Sequence, residues 1–151
     1  MITIAIAIHL VSAIIWVGGM FFAIMVLRFA AGELQPPIRA PLWGRTFEKF
    51  FPWVWLIVFL LPLSGYWMIF AIWGSFSNMP IHGHLMHGIG WVMIALYLHL
   101  WFAPYKRFKL AIANEDFPMA GANLNQIRIL VTTNLIIGLA NAVIGASGRY
   151  W

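Results

Sequence analysis

The sequence predicts an all-α integral membrane protein, a bundle of four transmembrane helices, and two observations support this. Of the 151 residues, 63% are hydrophobic and only 9% are charged, whereas about a quarter of the residues of a soluble domain are charged. The apolar residues also form four long runs, and a helix needs about 20 apolar residues to cross a bilayer. Barrel strands would instead be short and alternating. We therefore expect one transmembrane domain over residues 1–151.

Each of the four runs predicts one helix. The first helix ends at Arg28, and the second contains Pro62, which removes a backbone hydrogen bond and is expected to kink it. The third is expected to stop near Pro104, and Arg128 opens the fourth. The basic segment 105–114 is expected either to lie along the membrane interface or to form a solvated loop. The predicted helices cover residues 2–27, 50–73, 84–103 and 124–146.

The basic residues predict how the chain is oriented. Of the nine lysines and arginines, only Arg149 lies near the outer end of a predicted helix. The others lie in or beside the two loops predicted to be cytoplasmic, at Arg28, Arg39, Arg45, Lys49, Lys106, Arg107, Lys109 and Arg128. Basic loops stay on the cytoplasmic side, so we expect a bacterial inner (cytoplasmic) membrane protein with both termini outside, in the periplasm. Their place beside apolar runs indicates the lipid bilayer as the partner, not nucleic acid.

Two absences narrow the chemistry. The chain has no cysteine, which excludes disulfides, zinc–thiolate sites, thiol catalysis and covalently attached haem. Its four acids lie in or beside the predicted cytoplasmic loops, so carboxylate acid–base chemistry inside the membrane is not expected. They are Glu33, Glu48, Glu115 and Asp116. Ionisable groups within the membrane are functional candidates by default, and here those groups are histidines.

The histidines suggest a haem site between the first and third helices. His9 lies about two turns into the first helix, and His84 and His87 lie at a similar depth on one face of the third. Imidazole is a common axial ligand of haem iron, so a b-type haem held by His9 and either His84 or His87 is expected. Trp16 and Trp91 would pack near the ring. Arg149 would pair with a propionate.

His99 does not belong to that site, because it lies about 18 Å along the third helix from His87. Three roles are open for it: a hydrogen bond to Asn134, binding of a weakly ligated inner haem, or proton relay.

A second set of residues overlaps the first near the start of the third helix. Thioethers suit Cu(I), and imidazole suits copper in either oxidation state. The outer segment therefore predicts, as the alternative, a copper ion site built from Met79, His82, His84, Met86 and His87.

The first helix, with His9, Trp16, Gly19 and Phe22, resembles the opening helix of the copper-resistance protein D (CopD) family of membrane proteins. Further segments resemble its small stand-alone members, and the resemblance covers nearly the whole chain; they are 51–55, 64–70, 102–105 and 145–151. By its family name, the resemblance implies copper handling.

The spacing of His9 and Trp16 is also similar to that of HemJ-type protoporphyrinogen oxidases, which bind b-type haem. The pair Tyr97 and His99 resembles their Tyr-His, with one residue inserted. Their lysine in that span is absent, and His87 lies near its place. This resemblance implies haem binding more than porphyrinogen oxidation.

Three functions follow from these patterns. The first is electron transfer or oxidoreduction by a b-type haem protein, with a quinone or a periplasmic redox partner. The second is copper binding or import without catalysis. The third is a HemJ-like oxidase or a structural subunit whose histidines only join helices. A homo-oligomer is compatible with each.

Overall fold

The computed structural model describes residues 1–150, apart from the side chain of Arg149. Four helices in it are long and apolar enough to cross a membrane. Helix is the only regular structure in this described part of the chain. The predicted fold class, an all-α protein with four membrane-spanning helices, is confirmed. The helices are α1 (Ile2–Gly32), α2 (Pro36–Trp73), α3 (Ile81–Ala113) and α4 (Phe117–Ser147).

The helices extend further than their apolar runs, and at the starts of α2 and α4 the local sequence gives the reason. α2 begins at Pro36 instead of near residue 50, with prolines in its first turn, where the missing N–H is not needed. α4 begins at Phe117 instead of near residue 124. There the carboxylate of Asp116 accepts a hydrogen bond of 3.0 Å from the backbone N–H of Met119, a typical N-cap.

The expected stop of the third helix near Pro104 is wrong. A wide π-helical turn over Trp101–Tyr105 contains Pro104, and its altered hydrogen bonding accommodates a residue that lacks an N–H. The helix then continues over Lys106–Ala113. Phe108 is fully buried there. Most of the segment 105–114 is therefore a continuation of α3 and not a loop.

The helices pack as two close pairs, α1 with α2 and α3 with α4, and α4 also contacts α1 and α2. Aromatic rings of α2 and α3 fill the half of the bundle nearer to the α1–α2 turn. Phe51 meets Tyr105 at 4.7 Å and Tyr97 at 5.8 Å between ring centroids. The Tyr97 hydroxyl donates to the Phe51 carbonyl over 3.3 Å. This cluster leaves the other half, the α2–α3 end, to the methionines and histidines.

Candidate functional site

The candidate site begins at the loop between α2 and α3, where Pro80 caps the first turn of α3. Met79 is only 5% exposed. Its thioether folds onto Gly83, with the sulfur 2.8 Å from the position that a Cβ would occupy. A larger residue at Gly83 would collide with it. The sequence thus buries a soft sulfur donor at the mouth of the bundle.

His82 and Met86 lie one turn apart on α3 and both face the C-terminal end of α4. The His82 ring packs directly on Gly148. The Met86 sulfur lies 3.1 Å from the Cβ position of Gly145. Small residues let transmembrane helices approach closely, and here they bring an imidazole and a thioether to one contact surface.

Met93 continues this line seven residues further into the bundle, and the sequence analysis missed it. Its terminal carbon lies 2.9 Å from the Cβ position of Gly138 on α4, and that of Met20 on α1 lies 3.8 Å from the same point. The signal was present as two matching heptad spacings, one of methionines on α3 and one of glycines on α4. We call Met79, Met86 and Met93 the methionine stripe.

Two asparagines of α4 hold the stripe in register. The Asn134 amide donates to the carbonyl of Met93 over 3.3 Å, and the Asn141 amide donates to that of Met86 over 3.5 Å. Both are hydrogen bonds between α4 and α3. The Oδ1 atoms of both are buried, and neither has a partner among the described residues.

His87 faces away from the stripe. Its Nε2 accepts hydrogen bonds of 3.1 Å from the Tyr66 hydroxyl and from the Trp91 indole N–H. Its ring also packs edge-on against Phe76, at 5.5 Å between centroids. This imidazole therefore joins α3 to α2 and the intervening loop, and its Nε2 is already engaged.

His9 contacts a different face of α2. Its Nδ1 lies 3.1 Å from the Leu61 carbonyl and 3.0 Å from the Ser64 hydroxyl. A carbonyl can only accept, so Nδ1 carries the proton and Nε2 keeps its lone pair. Leu61 and the Tyr66 that binds His87 are five residues apart, so about 140° of helix surface separates the two contacts. The structure does not bring His9 and His87 together.

The structure shows no common haem pocket for the other residues of the expected site. His84 is exposed on α3. Trp16 is buried edge-on against Tyr97, whereas Trp91 is 46% exposed, so the two indoles do not flank one ring. Two cavities within the bundle have no histidine in their walls. The expected propionate partner, Arg149, lies outside the side chains that the structure describes.

Of the three roles left open for His99, the structure does not show the hydrogen bond to Asn134. His99 lies on the exposed surface of α3, while the amide of Asn134 turns to the Met93 carbonyl. His99 therefore has no place in the packed interior.

Among the residues that the structure describes, no three His, Asp or Glu side chains lie together as a metal site would require. Of the predicted copper set, the structure turns Met79, His82 and Met86 toward packed surfaces. It leaves His84 outside and commits His87 to Tyr66.

The helices and the thioether-rich end define a class: a multi-pass helical membrane protein with soft donors at one end of its bundle. The family model of copper resistance protein D matches residues 44–147. The chain belongs to the CopD family. Neither a curated protein nor a solved structure matches it. The family match supports the resemblance to copper-resistance protein D. It does not show the similarity to HemJ-type oxidases.

Proposed function

We propose that this protein binds copper ions as cargo at the α2–α3 end of its bundle, with His82, Met79 and Met86 as donors. One observation carries the proposal: an imidazole and a thioether one turn apart share the contact with α4, and a second, buried thioether precedes them. Thioethers select Cu(I), and imidazole completes a mixed donor set. The family to which the chain belongs is named for copper resistance.

The methionine stripe supports a second binding position deeper in the bundle. Seven residues of helix span about 10 Å, which is too far for Met86 and Met93 to share one ion. Met93 has another partner, because its thioether and that of Met20 on α1 both end at Gly138. We therefore propose that Cu(I) passes from the mouth of the bundle to a two-thioether position between α1 and α3.

The mouth position is tested by Cu(I) titration of the detergent-purified protein against a chromogenic Cu(I) chelator. Met86→Leu keeps the volume of the side chain while removing its sulfur. We expect it, and likewise His82→Gln, to weaken the first binding event by about tenfold or more, since one ligand is worth at least about 1.4 kcal/mol. X-ray absorption of the bound copper should show both sulfur and nitrogen neighbours.

The matched controls are Met119→Leu and His99→Gln. Both residues are exposed and distant from the mouth, so their affinities should equal that of the wild type. The deeper position is tested by Met93→Leu, which should remove one copper equivalent and leave the first affinity unchanged. Failure of the wild type to bind Cu(I), or equal affinities in the Met86, His82 and control variants, would overturn the proposal.

A further inference from the structure

A cavity of about 320 Å³ opens at the end of the bundle opposite the methionines, and three arginines line it. Arg28 comes from the end of α1, Arg39 from the start of α2, and Arg128 from α4. No carboxylate is among the lining residues. Three cations from three helices therefore converge on one space without an anion.

The repulsion among these three positive charges is unfavourable unless a negative charge compensates it. Arg128 is partly buried and feels the like charges of both Arg28 and Arg39. Within the described residues, none of the three guanidinium groups has a hydrogen-bond acceptor; Arg28 lies only over the ring of Phe29, at 5.5 Å. Guanidinium groups carry five N–H donors suited to phosphate and carboxylate.

Arg107 is an arginine with a structural role, and its guanidinium group has hydrogen-bond acceptors. Its Nε donates to Asn123 over 3.0 Å, and its terminal nitrogen donates to Gln126 over 2.8 Å. The three arginines of the cavity have no such amides. The donors they present are therefore free for a ligand.

The remaining walls of the cavity are apolar and include Ile24, Trp43, Leu124 and Val131. A small hydrated anion gains nothing from apolar walls. A phospholipid carries acyl chains as well as a phosphate group, and apolar walls can contact those chains. Basic pockets between transmembrane helices are suited to acidic lipid headgroups. The position also fits, because Arg28 and Arg39 flank the turn between two spanning helices, where headgroups lie.

We propose that this cavity binds an anionic phospholipid, with Arg28, Arg39 and Arg128 holding its phosphate group and the apolar wall receiving the start of its acyl chain. The site is independent of copper binding at the other end.

Native mass spectrometry of the delipidated protein with added phosphatidylglycerol tests the proposal. Arg28→Gln, Arg39→Gln and Arg128→Gln should each weaken lipid binding by about fivefold, since one arginine near a lipid headgroup is worth about 1 kcal/mol. Arg45→Gln is the matched control. It removes the same charge from an exposed position outside the cavity and should leave binding unchanged.

Two further experiments use only the wild-type protein, so their results can be interpreted even if a variant fails to fold. Phosphatidylglycerol should raise the thermal unfolding temperature and phosphatidylcholine should not, and added salt should reduce the effect. The second experiment measures the unfolding temperature with inorganic phosphate in place of lipid. An equal rise in unfolding temperature with phosphate alone would show a free-anion site and overturn the lipid proposal. Equal lipid binding by the cavity variants and by Arg45→Gln would also overturn it.

Discussion

Three helices meet at Gly138. A Cβ there would lie 2.9 Å from the end of Met93 on α3 and 3.1 Å from a methyl group of Val17 on α1. Gly88, on α3, has open space around its Cβ position. The two glycines therefore separate the effect of close packing from the general effect of adding a side chain to a helix.

We expect Gly138→Val to destabilise the protein by about 1–3 kcal/mol, because branched carbon atoms must displace both neighbours. Gly88→Val should be neutral or slightly stabilising, since valine has open space there and a higher helix propensity than glycine. Unfolding in detergent, followed by circular dichroism, measures both. Equal losses in the two variants would contradict the packing seen at Gly138.

At the scale of elements, α2 and α3 are joined differently at their two ends. Near the α1–α2 turn they share an aromatic cluster around Phe51 and Tyr97. At the α2–α3 end the connection is polar: the Tyr66 hydroxyl and the Trp91 indole both reach Nε2 of His87. This hydrogen bond couples α2 to the helix that carries the proposed copper donors.

A double-mutant cycle of Tyr66→Phe and His87→Leu measures that coupling. Hydrogen bonds between membrane helices average about 0.6 kcal/mol and reach about 1.7 kcal/mol, so we expect a coupling within this range in denaturant titrations. The matched cycle of Tyr66→Phe with His99→Leu should give none, because His99 is exposed further along α3. A zero value in both cycles would mean that the Tyr66–His87 bond does not stabilise the bundle.

At the scale of the whole molecule, the two ends of the bundle differ chemically. The α2–α3 end carries thioethers and imidazoles, whereas the other carries the three-arginine cavity and most of the remaining cations. The cationic end is electrostatically unfavourable for an emerging Cu(I) ion. If copper crosses the bundle, its release at that end requires a partner that compensates the positive charge.

The charge asymmetry predicts that the arginine end faces the cytoplasm and that both termini face outward. The chain has no cysteine, so single cysteines report sidedness cleanly. Ser77→Cys, in the exposed α2–α3 loop, should react with a membrane-impermeant maleimide in intact cells or spheroplasts. Asn114→Cys, in the exposed turn before α4, should react only after permeabilisation. The reverse labelling pattern would invert the orientation.

The sequence by itself determined the number of membrane-spanning helices, because each run of about 20 apolar residues is long enough to cross the lipid bilayer. It also predicted a set of copper donors, since donor chemistry belongs to the residue type; the set was Met79, His82, His84, Met86 and His87. It could not fix the helix ends, because these depend on caps such as Asp116. Nor could it show that α3 continues past Pro104, which a single wide turn allows.

Only the tertiary structure decided which histidines share a surface. Helical periodicity gives the face of one helix, but the rotation of each helix against its neighbours is set by packing. That packing turned His9 to Leu61 and His87 to Tyr66, on different faces of α2. The same packing brought Met93 to Met20 and gathered Arg28, Arg39 and Arg128 around one cavity.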